Sequence, residues 1–210
     1  KKHEIKKGVF KEKYPTLASK LIDSYSILAI GRLSPEKGFD ILIRSLSNLA
    51  SENITASLII IGEGEERSRL TALISELGLG NSVHLLGYQP QAQRYLVDFD
   101  VFVISSITEG LPITMLEAMQ AEIPIIATRV GEIPALLNNG ELGELAIPNN
   151  QEDLTNALKR VYVARQKAQE KAKGVNAYKP QDRVRNVSTA LKVYAQHVSS
   201  ADKGAVRLID

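Results

Sequence analysis

The chain has 210 residues, 44% hydrophobic and 24% charged, with a formal net charge of +2 and no cysteine. That length holds one well-cored domain with attached ends rather than two full domains, and the balance is ordinary for a globular protein, calling for neither nucleic acid nor a membrane as partner. Without cysteine there can be no disulfide framework, thiolate metal site or thiol nucleophile, and a reducing, cytoplasmic compartment is expected.

Residues 1–22 read as a basic linker or leading helix. Six lysines fall within residues 1–14 against Glu4 and Glu12, and such a run is ordinarily a solvated face, with a patch for a partner or a peripheral membrane contact as the alternative. No apolar signal region lies there and no run in the chain nears the ~20 apolar residues of a membrane span. The chain begins without Met, as expected of a fragment or a trimmed chain.

From residue 23 to 174, short β-branched runs alternate with segments of helical period. "SILAIG" (26–31), "ASLIIIG" (56–62), "VHLLG" (83–87), "DVFVIS" (100–105), "IPIIAT" (123–128) and, more weakly, "ELAIP" (144–148) are apolar with little alternation, which predicts parallel strands covered on both faces. Helices are predicted at "FDILIRSLSNLA", "ERSRLTALISELGL", "QAQRYLVDF" and "LPITMLEAMQA". The fold class is therefore α/β, a doubly wound, Rossmann-like parallel sheet with right-handed crossovers. Two further helices are expected at 151–173 and 181–197, with apolar positions at Leu154, Leu158 and Val161, then Val184, Val187, Leu191 and Tyr194, followed by a frayed tail.

In an open parallel sheet, ligands bind beyond the carboxyl ends of the strands, and the unusual residues fall at those ends. Gly31 and Arg32 follow the first strand, with Lys37-Gly38 opening the next helix; Gly62-Glu63-Gly64 follows the second, Gly87-Tyr88 the third, Ser105 through Pro112 the fourth and Thr128 to Gly131 the fifth. Pro112 suits a first helical turn, where its missing N–H costs nothing. Gly110 lets a ligand approach the backbone, and the free amides of a helix start form a site for phosphate. Arg32 and Lys37 would neutralise the same anion, which makes the assembly a diphosphate site.

Glu117 follows Gly110 by seven residues, nearly two helical turns, so the two should share a face. Its carboxylate leans back toward the helix start and, as an acceptor, suits the diol of a ribose. Glu109, ahead of the helix, would then face the group carried at the other end of the diphosphate.

On these residues the sequence resembles the C-terminal, donor-binding domain of GT-B glycosyltransferases, most closely glycosyltransferase family 4 (group 1). "GRLSPEKGFDILIRSL", "LIIIGEGEERSRLTALISELGLGNSVHLLGY", "DVFVISSITEGLPITMLEAMQAEIPIIATRVGEIPALL" and "ELAIPNNQEDLTNAL" match in the family's order, across most of residues 26–158. The resemblance implies that Arg32 and Lys37 contact the donor diphosphate and stabilise it as leaving group. It implies that backbone at Gly31, Gly110, Leu111 and beside Pro112 meets phosphate or donor sugar, that Glu109 holds the sugar hydroxyls and Glu117 the ribose, and that Gly87 and Tyr88 line the base pocket. It further implies retaining transfer from a nucleoside-diphosphate sugar without a metal or other cofactor. The acceptor, a glycan or lipid, would sit on an N-terminal domain absent here, so the chain alone should bind a donor and transfer nothing. Glu132 and Ala135 in "GEIPALL" depart from the family's usual residues, a matter of loop detail. The competing readings are a non-catalytic nucleotide-binding or partner module and half of a nucleotide-sugar epimerase, for which acid/base residues are wanting.

Other motifs read as structure. "GEGEER" (62–67) lacks the third glycine of a dinucleotide fingerprint and puts Glu63, Glu65 and Glu66 where a pyrophosphate would be repelled. Asp98 and Asp100 in "DFD" precede a strand, on the wrong edge for a metal-bound diphosphate. His3, His84 and His197 have no ligand-spaced partner.

Overall fold

The computed structural model describes residues 6–174. Six strands, β1 (Tyr25–Ile30), β2 (Ala56–Ile61), β3 (Val83–Leu85), β4 (Val101–Ile104), β5 (Ile125–Thr128) and β6 (Glu144–Ala146), form one sheet in the order β3-β2-β1-β4-β5-β6. All pairs are parallel, and the central register runs Tyr25↔Ala56 to Ile30↔Ile61 on one side of β1 and Ile27↔Val101 on the other. The chain winds outward from β1 through β2 and β3, then returns to β4, so the order reverses between β1 and β4. That switch point opens a crevice beyond the carboxyl ends of these two strands.

Strand residues alternate between two cores because successive side chains leave a strand on opposite faces. Ile27, Ala29, Leu58, Ile60, Val101 and Val103 enter one core with α3 (Phe39–Ser51), α4 (Arg67–Glu76) and α7 (Gln151–Gly174). Leu28, Ile59, Ile61, Phe102 and Ile104 enter the other, beneath α1 (Val9–Lys13), α2 (Pro15–Leu21), α5 (Ile113–Gln120) and α6 (Ile133–Leu136). α3 shows the rule for helices: Phe39, Leu42, Ile43, Leu46 and Leu49 are its buried stripe at helical spacing. No helix among the described residues is long and apolar enough to cross a membrane.

Four details differ from the expected elements. The leading segment is not merely a solvated charge run: Phe10, 1% exposed, packs its ring against Tyr14, Tyr95 and Phe99 at 5.0–5.6 Å. The Asp98 carboxylate accepts the N–H groups of Gly8 at 2.5 Å and Phe10 at 2.8 Å, fastening α1 to the body, while Lys7 and Lys11 stay exposed. Residues 92–98 form a tight 3-10 helix rather than an α-helix, entered through Gln91 in the left-handed region. α5 starts one residue later than its proline suggests, and α6 has no counterpart among the expected helices. The second predicted C-terminal helix, 181–197, the tail, and residues 1–5 with His3 lie outside the described residues, as does His197.

Candidate functional site at the switch-point rim

Two loops meet across the crevice. After β1 the chain makes a short 3-10 turn, Pro35–Lys37, and Gly38 ends it in the left-handed region at φ 61°. A Cβ on Gly38 would lie 2.3 Å from the Ser105 carbonyl oxygen, so only glycine lets this turn rest on the exit of β4. The Ile107 N–H donates to the Glu36 carbonyl at 2.7 Å and Ser105 Oγ donates to the Lys37 carbonyl at 2.9 Å, closing the join.

Lys37 is thereby carried to Glu109. Lys37 Nζ donates to Glu109 Oε2 at 2.7 Å, and Ser106 Oγ donates to the same oxygen at 2.8 Å. The Lys37 and Glu109 side chains are only 25% and 14% exposed, so solvent screens this pair less than a surface one. On the far side the Glu109 carbonyl lies against Gly131 (φ 52°), where a Cβ would come within 2.0 Å of it.

Glu109 leads directly to α5. Pro112 is the residue ahead of the helix, extended at ψ 112°, instead of its first turn. The ring also keeps Leu111 out of helical geometry. Gly110 and Leu111 are therefore outside the helix, and the expectation that Gly110 and Glu117 share one helical face fails for that reason. Their N–H groups donate to no backbone carbonyl among the described residues, and no atom lies within 4 Å of a Cβ placed on Gly110. A glycine with no internal crowding and an undonated amide, ahead of a helix's positive end, leaves room for an anion.

Glu117 sits in the second turn of α5, partly buried, its carboxylate making no hydrogen bond or ion pair among the described residues. Burial pushes its carboxyl above the usual carboxylate range. A partly buried carboxylate with no donor among the described residues is a candidate for contact with a ligand.

The remaining predicted residues are only partly drawn in. Arg32 turns away from Lys37 and pairs with Glu65 at 3.1 Å, both side chains more than half exposed, a contact that contributes little and can be released. The Gly31 N–H continues the sheet by donating to the Ile61 carbonyl at 3.0 Å, and Gly62 donates to the Gly87 carbonyl at 3.0 Å, so the exits of β1, β2 and β3 are stitched into one rim. Gly87 thus has its carbonyl occupied, while Tyr88 beside it stands 73% exposed.

The set-aside motifs have structural partners. Besides fastening α1 through Asp98, "DFD" supplies Asp100, which accepts from Ser26 N–H and Oγ at 2.9 and 2.8 Å and faces Arg165 at 2.7 Å. Glu63 and Glu66 pair with Arg67 and Arg69. A groove of about 780 Å³ opens beside Asp100, Glu144, Arg160 and Arg165, but at the amino ends of the strands, away from this rim. Ser105, Ser106 and Thr128 lie on the expected rim but have no expected role there; adjacent small hydroxyls closing an apolar strand, with Ser106 three residues ahead of Glu109, are the sequence signal that points to them.

The profile of a family described as glycosyl transferases group 1 matches residues 17–179. The chain belongs to that family. This group 1 domain is 29% identical to the amylovoran biosynthesis glycosyltransferase AmsK of Erwinia amylovora, over 73% of the chain and 40% of that protein. It is 32% identical to the phosphatidylinositol N-acetylglucosaminyltransferase GPI3 subunit of Saccharomyces cerevisiae, over 76% of the chain and 36% of that protein. Among solved structures, Anabaena HepE in complex with UDP-glucose superposes with a TM-score of 0.65 at 26% identity, covering 89% of the chain and 53% of that one. The chain thus spans about half or less of the length of the proteins it matches. The six-stranded parallel sheet with helices on both faces is the Rossmann-like fold of a GT-B glycosyltransferase domain.

Proposed function

We propose that this chain is the donor-binding half of a retaining glycosyltransferase, taking a nucleoside-diphosphate sugar at the switch-point rim and acting on an acceptor glycan or lipid held by a separate N-terminal domain. The observation that carries the reading is the Lys37–Glu109 pair set across the crevice immediately ahead of the undonated amides of Gly110 and Leu111. The UDP-glucose complex of Anabaena HepE, at 26% identity, supports the ligand class.

In this reading the diphosphate lies at the start of α5, where the amides and helix dipole meet its charge, and Lys37 and a released Arg32 supply the cations. Glu117 accepts the ribose hydroxyls, and Tyr88 offers a face to the base. Oε2 of Glu109 is already occupied by Lys37 and Ser106, which leaves Oε1 for the hydroxyls of the donor sugar. Departure of the nucleoside diphosphate develops negative charge on the leaving oxygen, and fixed donors aimed there lower the barrier without a metal. No protein nucleophile is assigned.

The test is calorimetric titration of the chain with UDP, GDP and ADP and with their glucose-bearing forms, Glu117→Ala serving as control. Saturable binding of one base, weakened in the variant by about 1–3 kcal/mol with the fold retained, is the expected result. Equal binding by the variant would overturn the ribose assignment. Absence of binding to every nucleotide at millimolar concentration, by this chain and by the chain joined to its acceptor domain, would overturn the function.

A further inference from the structure

We infer that Ser106 is a positioning residue that makes the site select a sugar-bearing donor over the bare nucleoside diphosphate, acting through Glu109. The inference rests on the donor reading above and extends it to a residue that touches no ligand.

The geometry is specific to one oxygen. Both Lys37 Nζ and Ser106 Oγ converge on Glu109 Oε2, at 2.7 and 2.8 Å, and no described group donates to Oε1. Lysine alone would not fix that choice. Its ammonium is a point charge on a flexible stem, and either carboxylate oxygen would satisfy it. A serine hydroxyl three residues earlier in the same loop has a short, fixed reach, so it decides which oxygen faces the protein and which faces the crevice.

Ser106 is itself held still. It is 2% exposed, and its carbonyl accepts Thr128 Oγ1 at 2.6 Å from the last residue of β5. Its neighbour Ser105, also 2% exposed, fixes the other end of the pair by donating to the Lys37 carbonyl at 2.9 Å. One dipeptide at the exit of β4 therefore orients both members of the ion pair. A positioning shell built on strand ends and buried from water can hold a ligand-facing carboxylate within the narrow tolerance that directional hydrogen bonds require.

Loss of the hydroxyl should not disturb phosphate contacts, because those fall to backbone amides and cations. It should release the Glu109 carboxylate to rotate about Lys37, removing the part of donor affinity that comes from the sugar. Ser106→Ala is thus expected to weaken UDP-glucose by about tenfold while changing UDP by less than about twofold. In a double-mutant cycle, Ser106→Ala added to Glu109→Gln should cost nothing further, since a residue acting only through Glu109 has nothing left to position.

The test measures two things on the full chain. The ¹³Cδ resonance of Glu109 in ligand-free protein should move in Ser106→Ala, with Glu109→Gln identifying the peak, and the four variants of the cycle are titrated with UDP and UDP-glucose. A shifted resonance with a selective, non-additive loss of UDP-glucose supports the proposal. An unmoved resonance, equal losses for both ligands, or an additive cycle overturns it. If the resonance shifts in Ser106→Ala but the wild-type chain, alone and joined to its acceptor domain, binds neither probe, the donor reading is overturned instead, and with it the functional half of this inference.

Discussion

Glu117 and Glu109 are both glutamates of one short stretch, and their environments separate their roles. Glu109 is satisfied by Lys37 and Ser106, whereas the partly buried Glu117 carboxylate has no donor among the described residues and its carboxyl is pushed upward. A raised carboxyl means that the folded state holds the proton more tightly than the unfolded chain. The stabilisation of the protonated form is therefore full below the ordinary value of 4.5 and is lost as pH rises through the raised one. At neutral pH the ionised side chain costs stability, so Glu117→Gln should raise the melting temperature of the ligand-free chain. The gain is of order 0.5 kcal/mol, about 1–2 °C, because solvent screens most of the penalty. Loss of stability in Glu117→Gln would show that the carboxylate has a structural partner. For Glu109→Ala the expectation runs through the ligand: UDP affinity is spared and UDP-glucose affinity falls, and equal losses in paired titrations would sink that division of labour.

Among the elements, α1 and the 3-10 helix at residues 92–98 depend on each other. Asp98 accepts two amides of the leading segment, and Phe10 fills the space between Tyr14, Tyr95 and Phe99. Phe10→Ala should destabilise the chain by about 3–5 kcal/mol, the cost of removing a fully buried ring, measured by chemical denaturation. A loss below about 1 kcal/mol would mean that the leading helix detaches freely. The join of the Pro35–Lys37 turn to β4 is the second dependent pair. Gly38 meets the Ser105 carbonyl at a distance no side chain permits, so the position of Lys37 is decided by a backbone contact between strands distant in sequence.

Across the whole molecule, the sheet's reversal between β1 and β4 gathers the site, and the outer strand β3 carries a separate sensitivity. His84 has a buried Nε2 without a hydrogen-bond partner among the described residues, and burial, with Lys20 nearby, holds it below its ordinary value of 6.5. Its depressed value means that stability is fully present above 6.5 and declines as pH falls through the folded value. Thermal unfolding followed from pH 7.5 to 5 should show this decline, and His84→Gln should flatten it. An unchanged slope in the variant would place the acid sensitivity elsewhere.

The sequence by itself placed the strands along the chain, their two-sided burial and the strand exits at which the unusual residues fall. These follow from apolar runs, glycine turns and helical periods, which are local properties. Arg32, Lys37, Glu109, Gly110 and Glu117 were legible as site candidates because charge and glycine at strand exits are themselves local signals. Only the tertiary structure decided that Arg32 turns to Glu65, that Lys37 and Glu109 share an oxygen with Ser106, and that Phe10 docks the leading segment on Asp98. Each of those contacts joins residues whose loops meet only once the sheet is wound, except Ser106, whose hydroxyl became informative when Lys37 arrived on the same carboxylate. Hydrogen-bond direction and burial depend on that winding, and no periodicity in the chain encodes them.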